Sequence, residues 1–228
     1  MVERASENLD IVIAGVGGQG TVLASKLLAQ AALLEGRMVR TAETIGMAQR
    51  GGSVLGHVRI GQAHAPHAPH APHAPHAPHS SHAPLSPLVP QRTADVLIGF
   101  EPAETVRALG YLRDGGTVVT ALQVLEPVSA TLNGLPYDGN AEIAWLRALA
   151  AAPTGRRLGT LVTVDGAALC AELGSTRVLN VILLGAALST GSIQLAPASL
   201  TRALRALIKP TYVTLNERAL RRGMEATS

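Results

Sequence analysis

The chain has 228 residues, enough to bury one sizeable core, and is 47% hydrophobic but only 2% aromatic, with a net charge of +3. So mild a basic excess, with so few rings to stack on bases, argues against a nucleic-acid surface. The single cysteine, Cys170, excludes an internal disulfide and any cysteine-ligated iron–sulfur cluster built within this chain. No apolar stretch reaches the ~18 residues of a membrane span. The first seven residues are polar, without an apolar signal region, and a cytoplasmic location is expected.

The chain opens with a short β-branched run, Leu9 to Ala14, which reads as a buried strand. Gly15-Val16-Gly17-Gly18-Gln19-Gly20 follows and fits G-x-G-x-x-G. Thr21 to Glu35 then carries apolar residues at helical spacing, and Gly36 is a stop signal. A strand, a glycine turn and a helix in that order let a ligand approach the peptide N–H groups at a helix N-terminus, where a phosphate or carboxylate is favoured. Gly15, Gly17, Gly18, Gln19, Gly20 and Thr21 are therefore candidate cofactor-binding residues; the alternative is a turn without a ligand.

Arg37 to Glu43 reads as a second strand, completing a parallel βαβ unit. Glu43 falls about where a dinucleotide-binding fold places its ribose-binding acid, or is simply a polar strand-end residue. The loop from Thr44 to Ser53 contains Arg50, Gly51 and Gly52, a guanidinium beside exposed peptide groups that suits an anion clamp. A solvated arginine in a glycine-rich turn is the competing reading. Val54 to Ile60 alternates as a third strand, on which His57 is a strand-face polar residue rather than a ligand.

Residues 62–91 carry a His-Ala-Pro repeat holding seven of the eight histidines. Proline at every third position forbids a helix and favours polyproline II. Histidines three apart then stand ~9 Å from one another. That is too far for two of them to share a zinc ion at ~2 Å from each, so no metal site is assigned. The composition cannot build a core, and the tract reads as an excursion between two strands.

Ala94 to Phe100 is a fourth strand, Glu101-Pro102 starts a helix, and Thr117 to Leu122 is another strand. Leu125 to Gly139 is punctuated by proline and glycine like a hairpin. Helices follow over 141–151 and 166–173, with a strand over 158–165 between them, and Cys170 packs on the second helix without a neighbouring base. The final third is helical, with an almost wholly apolar segment from Arg177 to Ser189 and two amphipathic helices beyond it.

GVGGQGTVLASKLL, TAETIGMAQRGGSV and HVRIG, followed by ADVLIGFEPAETVRAL and NVILLGAALSTG, resemble the gamma-type domain of 2-oxoacid:ferredoxin oxidoreductases. As a separate short chain it is most similar to the beta subunit of indolepyruvate:ferredoxin oxidoreductase. The likeness covers residues 8–61 and 90–224 and departs from the family at the His-Ala-Pro tract. It implies a three-layer α/β/α fold with a Rossmann-like, mostly parallel sheet and a helical C-terminal third. Residues 1–228 would then be a single gamma-type catalytic domain interrupted at 62–91.

The chain has no G-D-G with a downstream asparagine for thiamine diphosphate, no cysteine run, and no paired carboxylates or Ser/His/Asp set, so no catalytic residue is assigned. The resemblance implies that a large alpha-type partner supplies thiamine diphosphate and iron–sulfur clusters. Coenzyme A would be the co-substrate and ferredoxin the electron acceptor through the complex. Two other readings stay open: a stand-alone NAD(P)-binding oxidoreductase built on the glycine turn and Glu43, and a non-catalytic assembly subunit.

Overall fold

The computed structural model describes residues 8–45, 52–63, 86–125, 137, 139–152 and 157–226. Six strands, β1 (Leu9–Val16), β2 (Arg37–Ile45), β3 (Ser53–Ala63), β4 (Ala94–Gly99), β5 (Leu112–Ala121) and β6 (Thr160–Val164), form one sheet in the order β2-β3-β1-β4-β5-β6. β1, β4, β5 and β6 pair in parallel. β3 is antiparallel to both β1 and β2.

The near-continuous apolar run of β1 suits a strand covered on both faces. Ile11 and Ile13 join a core formed with α1 (Thr21–Leu34), α4 (Gly166–Leu173), α5 (Leu179–Ser189), α6 (Pro197–Leu207) and α7 (Pro210–Glu225). Val12 and Ala14 join a second core on the opposite face, with α2 (Pro102–Ala108) and α3 (Gly139–Ala151). The expected three layers are present, and the C-terminal helices stack on one side. Every residue of α5 from Leu179 to Leu188 is buried. It packs backbone to backbone on α7, because a β-carbon on Gly185 would strike Leu220 O and one on Gly223 would strike Ile182 O. Among the described residues no helix is long and apolar enough to cross a membrane.

The expected βαβ step is modified. β3 lies between β1 and β2, so those two strands run parallel but do not pair. Only residues 46–52 link β2 to β3. So short a link allows an antiparallel return but no crossover. β3 then satisfies both neighbours at once, pairing β1 from Leu9↔Ile60 to Val16↔Ser53.

The predicted excursion at 62–91 also has different limits. β3 continues to Ala63, and the chain is bound to the domain again from Ser86. Arg59 Nη1 donates to Ser86 O at 3.2 Å and to Leu88 O at 3.4 Å, and Val89 N donates to His57 Nδ1 at 3.3 Å. His57 is buried, and its desolvation lowers its pKa, so the ring stays a neutral acceptor. Residues 64–85 of the tract, and 126–136 and 138 of the predicted hairpin, lie outside the described residues.

Candidate functional site

The parallel strands β1, β4, β5 and β6 end on one edge of the sheet, the edge where open α/β folds bind ligands. Three glycines at the end of β1 and in the turn after it have different duties. Gly20 is the N-cap of α1 at φ 89° and offers no side-chain cap. Gly18 stands exposed at φ 103°. A β-carbon on Gly15 would lie 2.9 Å from Gln19 Oε1 and from Thr21 Cγ2.

Gln19 folds back on its own turn. Its Oε1 accepts from Val16 N at 2.7 Å and its Nε2 donates to Phe100 O at 3.0 Å. Both polar atoms are therefore used to tie the end of β1 to the end of β4. Gly17 N donates to Gly52 O at 2.9 Å, so one residue of the predicted anion loop reaches the turn. The N–H groups of Gly18 and Gly20, and those of Thr21, Val22 and Leu23 in the first turn of α1, have no acceptor among the described residues. They border a cavity of ≈ 440 Å³ that is also lined by Val54 and Lys26. Lys26 is exposed and has no ion-pair partner among the described residues. Unpaired donors, the positive end of a helix dipole and a free ammonium group together suit an anion.

The turn after β4 is closed instead. Glu101 is 0% exposed, and its Oε2 accepts from Glu104 N at 2.9 Å, capping α2. Tyr137 donates its hydroxyl to Glu101 Oε1 and accepts from Ala103 N at 3.2 Å. Pro102 at the start of α2 removes another N–H from this helix end. Burial raises the Glu101 carboxyl pKa, opposed by the bonds from Tyr137 and Glu104. The Tyr137 hydroxyl is pushed up by its own burial and by Glu101. Glu104 is 3% exposed; Arg107 pairs with Oε1, while Oε2 has no partner among the described residues.

Residues 10–226 match the family described as pyruvate ferredoxin/flavodoxin oxidoreductase. The chain belongs to this family. It is 32% identical over 217 residues to a protein of Thermococcus kodakarensis named indolepyruvate oxidoreductase subunit IorB, and the match covers 95% of each chain. It shares the fold of a keto/oxoacid ferredoxin oxidoreductase gamma subunit from Geobacter sulfurreducens, with a TM-score of 0.61 at 19% identity, covering 96% of this chain and 98% of that one. It also shares the fold of part of a 2-oxoglutarate:ferredoxin oxidoreductase from Magnetococcus marinus, whose structure holds 2-oxoglutarate, coenzyme A and succinyl-CoA. That match has a TM-score of 0.64 at 17% identity and covers 97% of this chain and 31% of the other.

Within this oxidoreductase fold the remaining predicted residues are distributed unevenly. Glu43 is exposed on the edge strand β2, opposite Gly56 of β3, which in turn pairs with Ile13 of β1. Two strand spacings, roughly 10 Å, separate it from β1. The inserted β3 therefore keeps Glu43 from the position that a dinucleotide fold gives its acid. Arg50 and Gly51 lie outside the described residues.

Cys170 is 4% exposed, and its desolvation raises the thiol pKa. It borders a larger cavity of ≈ 520 Å³ with Gln123, Ser175 and Arg177. Among the described residues that line it there is one cation, Arg177, and no base beside the thiol, so its size does not make it the better site. Among the described residues no group of three or more His, Cys, Asp or Glu could hold a metal ion. Sequence reasoning missed Lys26 and Glu101. A lysine early in the helix after a glycine turn, and an acid directly before a helix-starting proline, were the available signals.

Proposed function

We propose that this chain is the small subunit of a cytoplasmic indolepyruvate:ferredoxin oxidoreductase, acting on indole-3-pyruvate or a related aryl pyruvate. The overall reaction joins the acyl group of the 2-oxoacid to the sulfur of coenzyme A. Carbon dioxide leaves, one proton is released, and two electrons pass to ferredoxin. The residues of this chain do not fit an iron–sulfur cluster, since its only cysteine is buried. A large alpha-type partner is assigned the clusters and thiamine diphosphate, and the isolated chain is expected to be colourless and inactive. In this reading the whole chain is one gamma-type domain.

The observation that carries the reading is the open N-terminus of α1, with Lys26 beside it. A phosphate of coenzyme A would be held there by the N–H groups of Gly18, Gly20 and Thr21 and by the Lys26 ammonium. Gly15, Gly17 and Gln19 shape the turn, and Gly52 is joined to it through Gly17 N.

The test is Lys26→Ala in the complex reconstituted with its partner chain. Losing a charge-assisted contact is expected to raise the KM for coenzyme A roughly tenfold while leaving kcat and assembly intact. If KM, kcat and assembly are all unchanged, coenzyme A is not held over the glycine turn.

A further inference from the structure

On the face of the sheet that carries α2 and α3, α2 lies over β1 and β4, whereas β3 is crossed by chain without regular structure. This is the stretch 86–91, and Val89 is the one buried residue in it. Two side chains of β3, two residues apart and so on the same face, hold it down. Arg59 donates to Ser86 O and Leu88 O, and is itself held by both carboxylate oxygens of Asp10. His57 is 1% exposed. Its Nδ1 accepts from Val89 N at 3.3 Å, and its ring meets that of Tyr111 edge-on with the centroids 5.3 Å apart. Downstream, Arg92 N donates to Gly110 O at 3.0 Å. The stretch is fastened at three places, and only the middle one uses a side chain that titrates near neutral pH.

We propose that His57 is an acid-sensitive latch: protonation of its ring releases residues 88–91 from β3 while the sheet stays folded. The bond from Val89 N needs a lone pair on Nδ1, so the ring is neutral and carries its hydrogen on Nε2. A proton on Nδ1 sets two N–H donors against each other and leaves a cation in a buried place. The charged and titratable groups described around the ring do not offset that charge. Arg59 on β3 and Arg40 on β2 are cations, Asp10 on β1 is already committed to Arg59, and Tyr111 presents only its ring. Arg92, next to the turn that holds Tyr111, is a further cation. Burial is accordingly the cause that sets the ring's pKa below its ordinary 6.5. The Arg59 guanidinium keeps its charge throughout, so Ser86 and Arg92 stay as the two fixed ends. Letting go uncovers one buried valine, a smaller cost than opening a strand. This inference is independent of the site over the glycine turn.

With the latch closed the ring holds a proton less tightly than a free histidine at 6.5, so lowering the pH favours the open form. One linked proton makes opening up to about tenfold easier per pH unit below 6.5, until the closed form is itself protonated. Amide hydrogen exchange on the full chain reads this as the protection factor of Val89, its rate compared with that of an unstructured peptide at the same pH. The factor should be flat from pH 8 to 7 and fall about tenfold or more between pH 6 and 4.5. The amide of Val58, inside β3 between two neighbouring strands, should keep its protection. His57→Asn puts an amide oxygen in the place of Nδ1 and cannot titrate, so Val89 should stay protected over the whole range. The variant keeps the seven histidines of residues 62–91, which separates their titration from that of His57.

A Val89 protection factor that does not fall between pH 6 and 4.5 overturns the proposal. So does a fall shared by Val58, which is acid unfolding of the sheet. A fall that persists in His57→Asn belongs to another group and overturns it as well. Should His57→Asn fail to fold, His57→Gln takes its place: Val89 protection is then lower at pH 8 but the same at pH 4.5, and a pH-dependent fall in that variant is again fatal to the latch.

Discussion

Two neighbouring turns on the same sheet edge, after β1 and after β4, solve the same problem in opposite ways. Each leads a parallel strand into a helix, and each helix begins with N–H groups that need acceptors. After β4 the protein supplies its own carboxylate: Glu101 accepts from Glu104 N and from Tyr137, and Pro102 removes a donor. After β1 no such acceptor is found among the described residues. Gly20 has no side chain, and Gln19 is turned away to bond Val16 N and Phe100 O. A helix end sealed by a buried acid is structural; the α1 end, without such a seal among the described residues and with Lys26 beside it, has the chemistry that suits an anion.

The largest effect should come from opening the closed turn. Glu101→Ala strands Glu104 N in a buried place and takes the acceptor from the half-buried Tyr137 hydroxyl, and should cost about 3 kcal/mol. Chemical denaturation should show that loss, while the KM for coenzyme A in the complex stays within twofold of the wild-type value.

The open turn should respond in a graded way. Gly20→Ala combines a left-handed backbone at φ 89° with a contact of 2.8 Å to Asn180 Nδ2. It should cost roughly 2 kcal/mol and weaken coenzyme A binding as well. Gly18→Ala has the positive φ but nothing within 4 Å of the new β-carbon. It should cost only about 1 kcal/mol. Equal losses from the two substitutions would contradict this account of the turn.

The smallest effect is a pH dependence. Burial raises the Glu101 pKa from its usual 4.5, so the native state binds a proton more tightly than the unfolded chain does. The resulting contribution to stability is complete below pH 4.5 and is lost as pH rises through the elevated native value. Glu101→Gln should remove this falling component from the curve of unfolding free energy against pH. An unchanged curve would mean that another group is responsible.

Much of this arrangement was legible in the sequence because it is local. The run from Leu9 to Thr21 announces strand, turn and helix through β-branched residues, glycines and apolar spacing within one short window. The almost wholly apolar segment before Ser189 announces a buried helix in the same way. Glu43 shows where local reading stops. Its distance along the chain from the glycines fitted a nucleotide fold, but strand order is set by pairing between distant segments, and β3 took the place beside β1. Gln19 shows the same limit at atomic scale. Its position in the motif suggested a ligand contact, whereas Phe100, 81 residues away, claims its amide.

The sequence alone determined the α/β class, the glycine turn, the helical C-terminal third and the family resemblance, because each rests on short-range periodicity or on motifs read directly from residue order. Only the tertiary structure decided which donors remain unpaired at the sheet edge. That depends on side chains and peptide groups meeting across the fold: Gly52 on Gly17, Phe100 on Gln19, Tyr137 on Glu101, and Asn180 on Gly20. Whether a buried polar atom is satisfied is a property of all the neighbours packed around it, and chain order does not contain that list.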